Sequence, residues 1–157
     1  MASLDVPMIV VTASDGAHIA GCLVGFSGQS SIDPLRYTVY LSRLNYTYRV
    51  ARRSTHLMVH FLAHDQMDLA RHFGELTGDD SPKFAGVRWT PAPDGSTPRL
   101  MDCHSYLWGR IERRHYGDGD HGAFVLEPIS TRAPRRFEPL RLHDARQIDP
   151  GHPLHEK

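Results

Sequence analysis

The chain has 157 residues, and its 18 Lys and Arg balance 18 Asp and Glu to a formal net charge of +0. That length suits a single domain able to bury a core without disulfide or metal staples. The charge balance argues against a nucleic-acid or membrane-surface binder, both of which need a standing positive field, and leaves a small molecule or a protein as the expected partner. No apolar run approaches the roughly 20 residues that cross a bilayer, and the start carries Asp5 where a secretory segment would be basic and then apolar, so the expected location is cytoplasmic. Cys22 and Cys103 fall inside predicted strands without CxxC spacing and are expected as buried thiols.

In chain order, the first predicted strand runs over Met8 to Ala13, followed by a Ser14-Asp15-Gly16 turn and a second strand over His18 to Phe26. Further strands are predicted over Tyr37 to Ser42 and His56 to Leu62. The period then changes. Asp65 to Leu76 places Leu69, Phe73 and Leu76 on one stripe, which predicts an amphipathic helix capped by Asp65, with Asp68 in its first turn and Gly78 as a stop beyond its end. Thr77 to Arg99 reads as a long loop pinned by Phe84 and Trp89, with a ligand-facing lid as the other reading. A long strand over Met101 to Tyr116 follows, with Cys103, Leu107 and Ile111 on one face and His104, Tyr106 and Trp108 on the other. A Gly-Asp turn leads to its hairpin partner, Gly122 to Ile129, and the tail from Thr131 has no sustained period and reads as an arm or a disordered end.

These landmarks occur in an order that resembles the flavin reductase-like, FMN-binding split-barrel family. The Val10-Val11-Thr12 strand comes first, then a strand from Gly21, a serine-rich loop closing on Ser31-Ile32-Asp33-Pro34, Asp65-Gln66 opening the helix, Phe84-x-Gly86-Val87-x-Trp89, and Gly119-Asp120-His121. The resemblance covers Pro7 to Ile129. It implies a mainly β, six-stranded antiparallel split barrel of Greek-key type with one or two short flanking helices. The barrel domain is assigned to residues 1–130 and an arm or tail to 131–157. The implied activity is reduction of flavin by NADH or NADPH in a homodimer, with reduced flavin passed to a partner monooxygenase. FMN is the expected cofactor, with FAD as the other candidate.

A flavin presents an aromatic tricycle, a hydrogen-bonding chain and a phosphate. Gly25, Phe26, Ser27, Gln29, Ser30 and Ser31 offer close backbone approach and polar side chains for the ring; a polar surface loop would have the same composition. Ser42, Arg43, Asn45, Thr47 and Tyr48 lie where a strand gives way to a short helix and resemble the family's phosphate-binding turn, to which Arg49, Arg52 or Arg53 could add charge. Asn45 or Thr47 could equally cap that helix. The two histidines and two aspartates of His115 to His121 could be metal ligands or a hairpin end, but their spacing matches no zinc pattern. By resemblance His121 lies beside the flavin and helps seat the nicotinamide, with Asp120 orienting its ring or shaping the turn.

The strand from Gly21 departs from the family's usual Met-Thr-Val-Ser-Ser by reading Cys22-Leu23-Val24-Gly25-Phe26, which removes two polar side chains expected to touch flavin. This motivates the alternative of a flavin-binding module without nicotinamide-dependent reductase activity.

Overall fold

A computed structural model describes residues 3–79, 82–134 and 136–151. Within them the order of elements is β1 (Ile9–Ser14), β2 (Ile19–Val24), β3 (Ser27–Ser31), β4 (Arg36–Ser42), α1 (Tyr46–Ala51), β5 (His56–Phe61) and α2 (Met67–Glu75). There follow β6 (Trp89–Pro91), β7 (Pro98–Leu100), β8 (Tyr106–His115), β9 (His121–Arg132) and a 3-10 turn over Asp144–Gln147. Seven strands form one antiparallel sheet in the order β2-β1-β5-β8-β9-β4-β3, and β6 and β7 form a separate ribbon. The sheet curls until β2 meets β4, which makes it a half-barrel.

Six barrel strands were expected, and the seventh is β3. It pairs with β4 from Ser27↔Val39 to Ser31↔Arg36, and its Ser-Gly-Gln-Ser-Ser sequence has none of the apolar alternation by which a strand is recognised. Cross-strand hydroxyl bonds hold it, between Ser27 Oγ and Tyr37 Oη at 3.0 Å and from Thr38 to Ser30 Oγ at 2.8 Å. β8 also begins later than expected, at Tyr106, because Leu100 ends the β6–β7 ribbon and Met101 and Asp102 form a turn. Cys103 is therefore buried in a loop rather than a strand.

β1 is buried throughout because both its faces are covered. Ile9, Val11 and Ala13 join Val39, Phe124 and Leu126 inside the curl, where α1 contributes Tyr48 and Val50. Val10 faces the other way, into a second core made with Phe73 of α2, Leu62 and Leu100. α2 starts at Met67 with Gln66, not Asp65, at its N-cap. The Gln66 carboxamide is used on both sides of the joint: Oε1 accepts from Ala63 N–H at 2.8 Å and Nε2 donates to Asp102 C=O at 2.7 Å.

Two buried bases tie the layers together. His60, fully buried on β5, accepts the Leu100 N–H on Nε2 at 2.9 Å, which leaves Nδ1 to donate to the Val10 carbonyl at 3.2 Å. Lys83, also buried, donates from Nζ to the carbonyls of Gly21 and Phe73, each at 3.0 Å, and so fixes α2 against β2.

β9 extends to Arg132, and the chain beyond it returns to the body. Isolated bridges join Pro139 to Ala63 and Arg141 to Pro7, and Leu140 is fully buried. Residues 138–151 of the segment read as an arm or a disordered end lie against the body, and residues 152–157 of it lie outside the described residues.

Candidate functional site

One cleft of about 520 Å³ opens between the curled edge of the sheet, α2 and the returning arm. Its size lies within the range typical of small-molecule sites. The floor is the end of β2 and the following turn, with Cys22, Leu23, Val24, Gly25 and Phe26. Tyr40, Leu41 and Ser42 of β4 and the adjoining Asn45 form one side, and Asp120 and His121 at the start of β9 stand beside them. Phe73 and Gly74 of α2 face Leu142, Ala145, Ile148 and Pro150 of the arm.

Local sequence explains these placements. Asn45 follows the turn after β4 in extended backbone and caps α1 by accepting the Thr47 N–H on Oδ1 at 2.9 Å, so the turn from Ser42 to Asn45 is held at the cleft edge. The β8–β9 hairpin is joined to that turn by Arg43 N–H donating to Asp120 C=O at 2.9 Å. His121 Nδ1 lies 2.7 Å from Asp120 Oδ1, so the carboxylate orients the imidazole, and the ring sits 5.2 Å from that of Phe26, tilted by 59°. Cys22 is buried and its thiol pKa is raised by that burial, which keeps it protonated and unreactive at neutral pH.

Gly25, Phe26, Ser42, Asn45 and His121 are thus brought together from three separated stretches of chain. The other candidates go elsewhere. Ser27 bonds Tyr37, Gln29 bonds the Ser31 carbonyl at 3.2 Å, and Ser30 and Ser31 border a shallow depression beside Arg36 and Glu112. Thr47 is buried, and Tyr48 packs in the core, its ring 5.9 Å from Phe124. Arg43 is turned onto the β8–β9 hairpin, where its Nη2 donates to the Gly117 carbonyl while its buried Nε has no protein partner. Arg49 pairs with Asp79, Arg53 pairs with Asp15, and Arg52 lies over the rings of Tyr48 and Tyr116. Among the described residues no three His, Cys, Asp or Glu gather as metal ligands would.

Several cleft residues carried no sequence signal. Met8, Tyr40 and Phe73 read as ordinary strand and helix residues, and Leu142, Ala145, Ile148 and Pro150 lie in a segment without periodicity. Leu23, singled out for its apolar side chain, does line the cleft and packs on Gly74.

The flavin reductase like domain model matches residues 1–151, and the chain belongs to that family. It is 32% identical over 139 residues to the reductase subunit HsaB of a flavin-dependent monooxygenase from Rhodococcus jostii (strain RHA1), an alignment covering 86% of this chain and 66% of the relative. The chain therefore spans just under two thirds of that relative's length. Among solved structures, the fold is similar to a flavin reductase domain protein from Arthrobacter sp. FB24, at a TM-score of 0.78, 22% identity, and coverage of 98% of this chain and 91% of that one. It is also similar to the NADH:FAD oxidoreductase SgcE6 of Streptomyces globisporus C-1027, at a TM-score of 0.78, 21% identity, and coverage of 88% and 81%.

Proposed function

We propose that the cleft binds FMN, with FAD as the other candidate, and that the protein is an oxidoreductase using NADH or NADPH to reduce it. The observation that carries this reading is the convergence of Gly25, Phe26, Ser42, Asn45 and His121 on one cleft in a chain of the flavin reductase-like family. The donor set suits the group. The polar residues Ser42, Asn45, Asp120 and His121 gather on one side, and apolar walls form the rest. Ser42 and Asn45 would hold the ribityl phosphate side, and Gly25 and Phe26 would meet the ring.

When bound, flavin supplies the hydride acceptor and the electron carrier. The protein's part is positioning. Asp120 holds the His121 ring in one orientation beside Phe26, so His121 can seat the nicotinamide without acting as an acid or base.

Three further assignments belong to this reading. Reduced flavin would serve a partner monooxygenase, as the description of the Rhodococcus relative suggests. A homodimer would cover Phe26 and Tyr40 at the cleft mouth and Ile32 and Leu35 on the β3–β4 turn, all four of which are exposed in one chain. The two free cysteines suit a reducing, cytoplasmic setting.

The test is an absorbance spectrum of purified protein and a titration with FMN, followed by oxidation of NADH and NADPH with added flavin. Binding together with nicotinamide consumption supports the proposal, and no binding at tens of micromolar FMN defeats it. The second reading, a flavin-binding module without reductase activity, is favoured by the arm side of the cleft. There Leu23, Leu142, Ala145, Ile148 and Pro150 offer no side-chain partner for a carboxamide. Flavin binding with neither nicotinamide consumed would establish it.

A further inference from the structure

The arm is fastened at both ends of the stretch that borders the cleft. At the first end, Met8 N–H donates to the Leu140 carbonyl at 2.8 Å, Leu140 N–H to that of Leu62 at 2.9 Å, and Leu142 N–H to that of Val6 at 2.9 Å. Asp5 adds to this joint by accepting the His143 N–H at 2.8 Å. At the second end, Gly151 N–H donates to the Gly74 carbonyl at 2.9 Å. Two glycines meet there because nothing larger fits: a Cβ on Gly151 would stand 2.3 Å from the Glu75 carbonyl oxygen, and one on Gly74 would stand 2.7 Å from Ile148 Cγ2. Between the fastenings the 3-10 turn buries Ala145, and Leu142, Ala145, Ile148 and Pro150 all border the cleft.

Resting on the flavin reading above, we propose that residues 142–150 form a specificity-determining wall of the cleft that grips the planar ring system of the ligand. The wall's four cleft-lining side chains are apolar, so its contribution comes from burying ring surface and is indifferent to the phosphate. Selection for a ring ligand is thereby divided between two parts of the chain. The Ser42 to Asn45 turn addresses the polar chain and its phosphate, and the arm addresses the ring. Gly74 and Gly151 act as positioning residues, since the wall can stand against Leu23 only while the two backbones touch.

The test compares FMN with riboflavin, which has the same ring and no phosphate, by quenching of flavin fluorescence on the wild type, on Leu142→Ala/Ile148→Ala, and on Gly151→Ala. Each variant is expected to lose about tenfold in affinity, by the same factor for both ligands, which corresponds to about 1.4 kcal/mol. Binding of both flavins within twofold of wild type by the variants, or a loss for FMN alone, would overturn the proposal. Should Gly151→Ala fail to fold by circular dichroism, the double variant carries the test, because Leu142 and Ile148 are only partly buried. Failure of the wild type to bind either flavin would instead overturn the flavin reading on which the wall rests.

Discussion

His121 and His60 have the same side chain and different work, and surroundings decide which. His121 is held at the cleft edge by Asp120 and touches Phe26. Replacing it with Ala should lower kcat/KM for the nicotinamide by about ten- to a hundredfold, through loss of positioning. FMN affinity should change little, and steady-state rates paired with a flavin titration separate the two effects. His60 is enclosed, and burial pulls its pKa from the usual 6.5 down to about 3, so it is neutral in the folded protein. Because its folded pKa lies below the unfolded one, its contribution to stability is complete above about pH 6.5 and drains away as pH falls toward about 3. His60→Leu strands the Leu100 N–H and the Val10 carbonyl, and should cost on the order of 2–4 kcal/mol at neutral pH. Urea melts at pH 7.5 and pH 5 should find the variant's deficit smaller at the lower pH.

Among the elements, α1 is six residues long, too short to persist on helix propensity alone, and depends on its cap and on the burial of Tyr48 and Val50. Asn45→Ala should destabilise the protein by about 1 kcal/mol and weaken FMN more than riboflavin, since it loosens the turn that begins at Ser42; calorimetry and the two titrations check this. β3 illustrates the opposite case. It has no apolar alternation, and its edge position and hydroxyl pairs make it a strand that periodicity cannot detect. For the same reason Gln29, Ser30 and Ser31, which read as ring contacts, are spent on β3–β4 pairing or lie outside the cleft. Asp15 shows a turn residue working as an anchor. Its burial would raise the carboxyl pKa, but bonds from the His18 N–H, Arg53 and the Ala17 N–H outweigh that and hold it well below the usual carboxylate range.

At the scale of the whole molecule, one chain leaves a row of apolar side chains uncovered, from Phe26 and Tyr40 at the cleft to Ile32, which is 85% exposed. Light scattering coupled to gel filtration at about 50 µM should give a dimer mass, and Ile32→Lys should shift it toward monomer. A wild type that runs as a monomer at that concentration would remove the dimer from the proposal. With the arm closing one side of the cleft and a second subunit at its mouth, access to the ring would be controlled by elements at opposite ends of the sequence.

Wherever a pattern is local, the sequence alone determined the answer. The buried strands β1, β4 and β5 announce themselves by short runs of β-branched, aromatic and other apolar residues, and α2 by its stripe. The family likewise follows from the order of short motifs. Only the tertiary structure decided which polar residues face the cleft, because a one-residue alternation on a strand, or the turn of a short helix, sends Thr47 and Tyr48 into the core while Asn45 stays at the edge. It also decided the fate of the arm. Residues 138–151 have no period of their own because, the bonds of the 3-10 turn apart, the backbone bonds that hold them run to partners more than 60 residues away, and a contact at that distance leaves no trace in local spacing.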